Sequence, residues 1–100
     1  MKKLLIANRS EIARRINRTA KLMGLKTIMI YTEEDRDTIA LREADYIYKL
    51  DGSGGLGYLD QENILLIAEK SGADLVHPGY GFLSENYQFS QKVIDAGLVW

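Results

Sequence analysis

Short apolar runs alternate with helical periods along this chain. The runs predict strands at residues 4–7, 27–31, 46–50 and 75–77, and residues 98–100 begin a fifth. Between them, helical spacing predicts helices over residues 9–23, 37–44, 60–71 and 86–96. This alternation predicts an α/β fold, a Rossmann-like three-layer domain with a mostly parallel sheet of about five strands and right-handed crossovers.

Capping residues mark the ends of several predicted helices. Asn8 and Glu11 are spaced as a capping box for the first helix, and Gly24 follows its last turn. Asp60 and Gly72 are expected to bound the third helix, and Ser84 or Asn86 is expected to cap the last one. The first helix also carries apolar residues at helical spacing, which we expect to face the core: Ile12, Ile16, Ala20 and Met23.

Composition narrows the possible functions. One hundred residues fit one domain, and a net charge of −1 gives no field that would draw nucleic acid or an anionic membrane. The absence of cysteine excludes disulfides, thiolate catalysis and cysteine-ligated zinc, and a single histidine, His77, disfavours a histidine metal site. The apolar run at residues 4–7 is too short for a signal peptide or a membrane span, so a cytoplasmic protein is expected.

A glycine-rich segment, from Gly52 to Gly57, fits the pattern G-x-G-x-x-G after a predicted strand. Asp60 at the start of the next helix would place negative charge where a phosphate should lie, which argues against a nucleotide site. We therefore expect a flexible, solvent-exposed loop over residues 51–57. The alternative is a free-standing Rossmann-like nucleotide-binding module that uses Gly52–Gly57.

Two groups of charged residues are candidate interaction sites. Basic residues follow one face of the first helix, where a solvated surface is expected and a partner surface is the alternative: Arg14, Arg18 and Lys21. Acidic residues follow the second predicted strand, where hydrated side chains are expected and a cation site is the alternative: Glu33, Glu34, Asp35 and Asp37. Thr32 and Asp35 also have the spacing of a helix cap.

The most informative motif follows the strand at residues 75–77. It reads His-Pro-Gly-Tyr-Gly-Phe-Leu-Ser-Glu-Asn and occupies residues 77–86. Pro78 fixes one backbone angle, while Gly79 and Gly81 permit angles that a Cβ disfavours, so a rigid turn is expected with Tyr80 held outward. The turn would lie at the carboxyl edge of the sheet, where open α/β folds bind ligands. His77 is expected to hydrogen-bond into the turn.

This motif resembles a hallmark of the biotin carboxylases, the ATP-grasp enzymes of acetyl-CoA, propionyl-CoA and pyruvate carboxylase type. The segment Leu-Ile-Ala-Asn-Arg-Ser-Glu-Ile-Ala at residues 5–13 resembles the start of the same family, with Ser10 in place of the usual glycine. The resemblance covers residues 1–100, which it identifies as a biotin carboxylase N-terminal (pre-ATP-grasp) domain. Because the chain stops at Trp100 within an apolar run, we expect a domain truncated before the ATP-grasp domain.

The resemblance implies a ligase that carboxylates biotin with ATP and bicarbonate. Its N-terminal domain would form one wall of the active-site cleft and be inactive alone, with no catalytic, cofactor-binding or metal-binding residue of its own. Tyr80 would face the biotin, and Gly79 and Gly81 would shape its approach. Biotin, ATP and Mg²⁺ would serve the intact enzyme, and none is expected to bind this chain tightly.

The resemblance also implies partners. These are the ATP-grasp and C-terminal domains of the same enzyme and a biotin carboxyl carrier domain. A homodimer through the first helix is possible in the family. Arg15 and Arg18 match its basic positions there, whereas Leu22 stands where an acidic partner can occur.

Overall fold

Four parallel strands form the central sheet of the computed structural model, which describes residues 2–100. They are β1 (Lys3–Ile6), β2 (Lys26–Tyr31), β3 (Tyr46–Lys49) and β4 (Leu75–His77), arranged in the order β3-β2-β1-β4. The helices are α1 (Ser10–Leu22), α2 (Ile39–Glu43), α3 (Gly54–Gly57), α4 (Gln61–Ser71) and α5 (Tyr87–Asp95), with a 3-10 turn at Glu33–Asp35. The predicted three-layer, parallel α/β fold is confirmed.

The two faces of the sheet bury separate apolar clusters. Side chains of α4 and α5, including Ile64 and Phe89, pack with Leu5 of β1 on one face. Small side chains of α1 and α2, including Ala13 and Ala40, pack with Ile6 of β1 on the other. Residues 4–7 are buried on both faces, as the uninterrupted apolar run predicts.

The expected fifth strand is reduced to an isolated bridge. Val99 pairs in parallel with Leu75, and its carbonyl accepts a hydrogen bond of 2.8 Å from the Val76 amide. Trp100 then turns its ring edge-on to Phe89, with the ring centroids 5.5 Å apart. Within residues 2–100 the sheet therefore has four strands rather than five.

The buried face of α1 differs from the predicted apolar stripe. Ala13, Asn17 and Ala20 are buried, whereas Met23 is 72% exposed. Ile12 and Ile16 are half-buried. Small side chains let the helix lie close to the sheet, and the Asn17 amide donates to the Glu43 carbonyl at 3.0 Å. The large isoleucines consequently lie along the flank of the helix.

The predicted caps are confirmed at α4, at α5 and at the C-terminal end of α1. Asp60 accepts from the Asn63 amide at 3.1 Å, Asn86 accepts from the Phe89 amide at 3.0 Å, and Gly24 has a φ of 82° just past α1. The capping box of Asn8 and Glu11 is wrong. The cap position of α1 is Arg9, and no side chain of residues 2–100 accepts there.

A polar network joins the ends of β1 and β2. Arg9 donates to both oxygens of the Asp35 carboxylate at 2.6 and 2.5 Å, and the Tyr58 hydroxyl donates to Asp35 at 2.7 Å. The predicted cap of Thr32 and Asp35 is therefore wrong, and Asp35 is buried rather than hydrated like its acidic neighbours. Bidentate pairs of this kind fix geometry as well as adding energy.

The network shifts the acid–base behaviour of its members. The hydrogen bonds from Arg9 hold the pKa of Asp35 below its ordinary value, against the opposing effect of burial. Burial, followed by the hydrogen bond to Asp35, raises the pKa of the Tyr58 hydroxyl. At neutral pH Asp35 is therefore held ionised and the Tyr58 hydroxyl protonated, the states in which the two groups share their hydrogen bond.

We expect Asp35→Asn to lower the free energy of unfolding by about 1–3 kcal/mol near pH 7, because it removes charged hydrogen bonds from a buried site. Glu33→Gln is the matched control, since the Glu33–Arg36 pair is more than half exposed on both sides and should contribute at most about 1 kcal/mol. Urea unfolding of the three proteins measures both values.

The Asp35 contribution should depend on pH. Because its folded pKa is depressed, the stabilisation is present above the unfolded pKa of about 4 and is lost as pH falls through the folded value. The difference between the wild type and Asp35→Asn should therefore shrink below about pH 4. A difference that stays constant down to about pH 2 would contradict this assignment.

Candidate functional site

The turn after β4 has the predicted geometry. Gly79 and Gly81 both have a φ of 68°, in the left-handed region that glycine adopts without strain. Tyr80 between them is 67% exposed, so its ring is held outward. The His77 imidazole accepts a hydrogen bond of 3.0 Å from the Gly79 amide through Nδ1, as expected of a histidine bonded into its own turn.

The end of β1 holds the near side of this turn. The Ala7 amide donates to the His77 carbonyl at 2.9 Å and continues the parallel ladder. The Asn8 side chain then donates from Nδ2 to the carbonyls of Pro78 and Tyr80, at 2.9 and 2.6 Å. A Cβ at position 79 would lie 2.8 Å from that same Nδ2, so the close approach requires glycine.

An aromatic contact holds the far side of the turn. The Phe82 ring lies 5.3 Å from the Tyr58 ring, centroid to centroid, and Leu83 after it is buried. Tyr58 is itself part of the Arg9–Asp35 network, so both sides of the turn are tied to the carboxyl end of β1. Phe82 and Ser10 have positive φ values of 42° and 55°. A glycine, as the resemblance implies at position 10, would adopt this conformation without the cost that a Cβ brings.

An open cleft of about 330 Å³ lies between the turn and the start of α1. Its lining residues are Asn8, Arg9, Ser10, Glu11, Ile12, Tyr80, Gly81 and Phe82. The Tyr80 ring also borders an apolar groove of about 610 Å³ on the flank of α1. Gly81 and Tyr80 are thus brought to one wall, while Gly79 lies behind them against Asn8.

The glycine-rich segment is largely exposed, as expected, but it is not an irregular loop throughout. Gly54–Gly57 forms one helical turn, and a Cβ at Gly57 would lie 2.5 Å from Cγ2 of Thr32. The Gly54 amide donates to the Glu34 carboxylate at 2.8 Å, and this bond lowers the pKa of Glu34. Negative charge therefore lies beside the amide that a phosphate would need, and Gly52 and Gly57 serve close packing.

The basic residues of α1 are only partly a solvated face. Arg14 pairs with Glu43 at 2.6 Å, and Lys21 lies 3.5 Å from Asp45. These contacts attach α1 to the α2–β3 connection, while Arg18 is exposed. The sequence patterns did not indicate Glu43 and Asp45 as partners of α1. The chain reversal between α2 and β3 positions both carboxylates.

The described residues also bear on metal binding and on membrane insertion. Across residues 2–100, no three acidic or histidine side chains are grouped so that they could ligate a metal ion. Over the same residues, the structure contains no helix with the length and apolar character needed to cross a membrane. The acidic cluster at Glu33–Asp35 is thus not arranged as a cation site.

Comparison with known proteins places this geometry in a family. The model of the biotin carboxylase N-terminal domain matches residues 1–100. The chain is 48% identical, over 98% of its length, to the biotin-dependent acyl-coenzyme A carboxylase alpha3 subunit of Mycobacterium leprae, and spans 17% of that protein.

Solved structures give the same result. The biotin carboxylase domain of a single-chain bacterial carboxylase superimposes with a TM-score of 0.96, at 41% identity, and the chain covers 23% of it at 98% of its own length. The biotin carboxylase domain dimer of Hydrogenobacter thermophilus 2-oxoglutarate carboxylase, solved with MgADP and bicarbonate, gives 0.94 at 39% identity, over 97% of this chain and 21% of that one.

The chain therefore spans about a fifth of the length of these three relatives. The matches nevertheless extend over nearly all of its own residues, including the turn that carries Tyr80 and the strand that holds it. The chain belongs to the family of biotin carboxylase N-terminal domains.

Proposed function

We propose that this chain serves as the N-terminal domain of an ATP-dependent biotin carboxylase and forms one wall of its active-site cleft. The observation that carries the proposal is the exposed Tyr80, held by a rigid turn on the rim of an open cleft at the carboxyl edge of a parallel sheet. The domain supplies shape to the site and leaves the chemical steps to the rest of the enzyme.

Tyr80 is the residue that we assign to biotin. Its ring offers a flat apolar face to the fused rings of biotin, and its hydroxyl offers a polar contact. Gly79 and Gly81 let the backbone place that ring on the rim, because both adopt left-handed angles. No proton transfer is assigned to His77, whose Nδ1 is already used within the turn.

ATP and Mg²⁺ belong to other parts of the enzyme in this proposal. Phosphoryl transfer requires cations and a metal ion at the γ-phosphate. The side chains of residues 2–100 do not form a metal-ligating group, and so do not fit that requirement. A relative of this chain was solved with MgADP and bicarbonate as a biotin carboxylase domain roughly five times longer.

The exposed flank of α1 supports contacts with further domains. Leu22, 85% exposed, lies with Arg18 on one part of the helix surface. Met23, 72% exposed, lines the apolar groove together with Ile12, Ile16 and Arg15. We assign this surface to the remaining ATP-grasp and C-terminal domains of the same enzyme. Arg18, outside that groove, and Arg15, at its edge, remain available for a homodimer contact. A biotin carboxyl carrier domain is the further partner, and the cytoplasm is the compartment.

Replacing the exposed tyrosine tests the assignment. In the full-length enzyme, Tyr80→Ala should raise the KM for biotin on the order of tenfold, because an aromatic contact is lost, and leave the KM for ATP within about twofold. Tyr87→Ala is the matched control, since Tyr87 is a similarly exposed tyrosine at the start of α5 and should change neither value. Steady-state carboxylation of free biotin measures both constants. Equal rises in both would remove Tyr80 from the biotin site.

A titration of this chain separates the proposal from a nucleotide-binding module. Amide-resolved NMR with ATP and then with NAD should give no saturable shifts at residues 52–57, because Glu34 occupies the Gly54 amide and Gly57 packs on Thr32. Shifts with biotin, if they occur, should be confined to residues 79–81. Saturable nucleotide shifts at residues 52–57 would instead establish the binding module.

A further inference from the structure

The Asn8 side chain makes three hydrogen bonds inside the protein. Nδ2 donates to the carbonyls of Pro78 and Tyr80, and Oδ1 accepts from the Arg9 amide at 2.8 Å. The residue is 3% exposed. Both N–H groups of the amide are thereby used on two carbonyls that flank Gly79, a pattern that a carboxylate or a hydroxyl of similar size cannot reproduce.

We propose that Asn8 is the positioning residue of the biotin site and fixes where the Tyr80 ring stands. This inference rests on the proposed function, in which Tyr80 contacts biotin. Although Asn8 borders the cleft, both N–H groups of its side chain are used within the turn. It acts through the turn, by holding the backbone on both sides of the glycine that precedes Tyr80.

The location of Asn8 gives the turn a rigid reference. Asn8 lies two residues after the end of β1, and β1 pairs with a strand on each side, β2 and β4. The last hydrogen bond of the ladder is donated by the Ala7 amide to the His77 carbonyl. The side-chain amide of the next residue, Asn8, then donates to the turn. The position of the turn is therefore set from the centre of the sheet, which is the least mobile part of such a fold.

The left-handed turn has a specific need for this amide. Two glycines with positive φ give the segment from Pro78 to Gly81 freedom that other residues lack, so an ordered turn requires outside restraint. Nδ2 supplies that restraint at the carbonyls, and its close approach excludes a Cβ at Gly79. Loss of the amide leaves two carbonyls without their donor and lets Tyr80 swing away from the cleft.

Asn8→Asp is the informative substitution, because it keeps the size of the side chain and replaces the donor with oxygens that repel both carbonyls. In the full-length enzyme we expect the KM for biotin to rise on the order of tenfold, with the KM for ATP within about twofold. Hydrogen exchange of the peptide at residues 77–86 should accelerate at the same time. Asn8→Ser, which is too short to reach both carbonyls, should act in the same direction and serves if the aspartate variant does not fold.

Asn17→Asp is the matched control. Asn17 is also a buried asparagine whose Nδ2 donates to a backbone carbonyl, but it contacts Glu43 rather than the turn. Its substitution should lower the melting temperature without changing the KM for biotin or the exchange of residues 77–86. Equal rises in both KM values for Asn8→Asp, matching those for Asn17→Asp, would reduce Asn8 to a structural role.

A double-mutant cycle with Tyr80→Ala tests whether Asn8 acts through the tyrosine. If it does, Asn8→Asp should raise the KM for biotin by less than about twofold when Tyr80 is already alanine. Full additivity of the two effects would overturn the inference. If Tyr80→Ala alone leaves the KM for biotin unchanged while Asn8→Asp still accelerates exchange at residues 77–86, the biotin assignment fails and the restraint on the turn stands.

Discussion

The pairing of β1 on both sides is the constraint on which the rest of this structure depends. Lys3–Ile6 is hydrogen-bonded to β2 and to β4, and both of its faces are buried. Because all these strands run parallel, their carboxyl ends meet at one edge of the sheet. Asn8 and Arg9, two and three residues past the end of β1, therefore lie between the loops that follow its neighbours.

Those two residues restrain different loops. Asn8 bonds the turn after β4, and Arg9 bonds Asp35 in the connection after β2. Tyr58 links the two restraints, because its hydroxyl donates to Asp35 and its ring packs against Phe82, just after the turn. Three segments that are distant in sequence are thus held as one rim, on which Tyr80 stands exposed.

Local chemistry accounts for what the sequence predicted well. The run at residues 4–7, the glycine stop at Gly24 and the cap at Asp60 depend on neighbours within a few positions, and each was found where expected. The turn at residues 77–81 belongs to the same class, because Pro78, Gly79 and Gly81 restrict or free their own backbone angles.

The sequence predictions that failed concern residues whose contacts in the fold are distant in sequence. Asn8 has the spacing of a helix cap, but its side-chain amide donates to carbonyls 70 and 72 positions away. Asp35 reads as one of several hydrated carboxylates until the fold brings Arg9 to it. The stripe of Ile12, Ile16, Ala20 and Met23 predicts a buried face. Ala20 is buried as predicted, but its buried neighbour on the sheet is the small Ala13, while the two isoleucines are half-buried and Met23 is exposed. In each case tertiary packing overrides a valid local signal.

The separation between β1 and β4 has a consequence for the order in which the chain folds. Beside this pair of strands, the Lys3 backbone amide donates to the Asp74 side chain, and the two residues are 71 positions apart. During synthesis β1 can pair with β2 early, but its second edge has no partner until residues 75–77 have left the ribosome. An apolar strand at the centre of the finished sheet thus spends the synthesis of most of the domain as an open edge, the state in which strands associate with other chains.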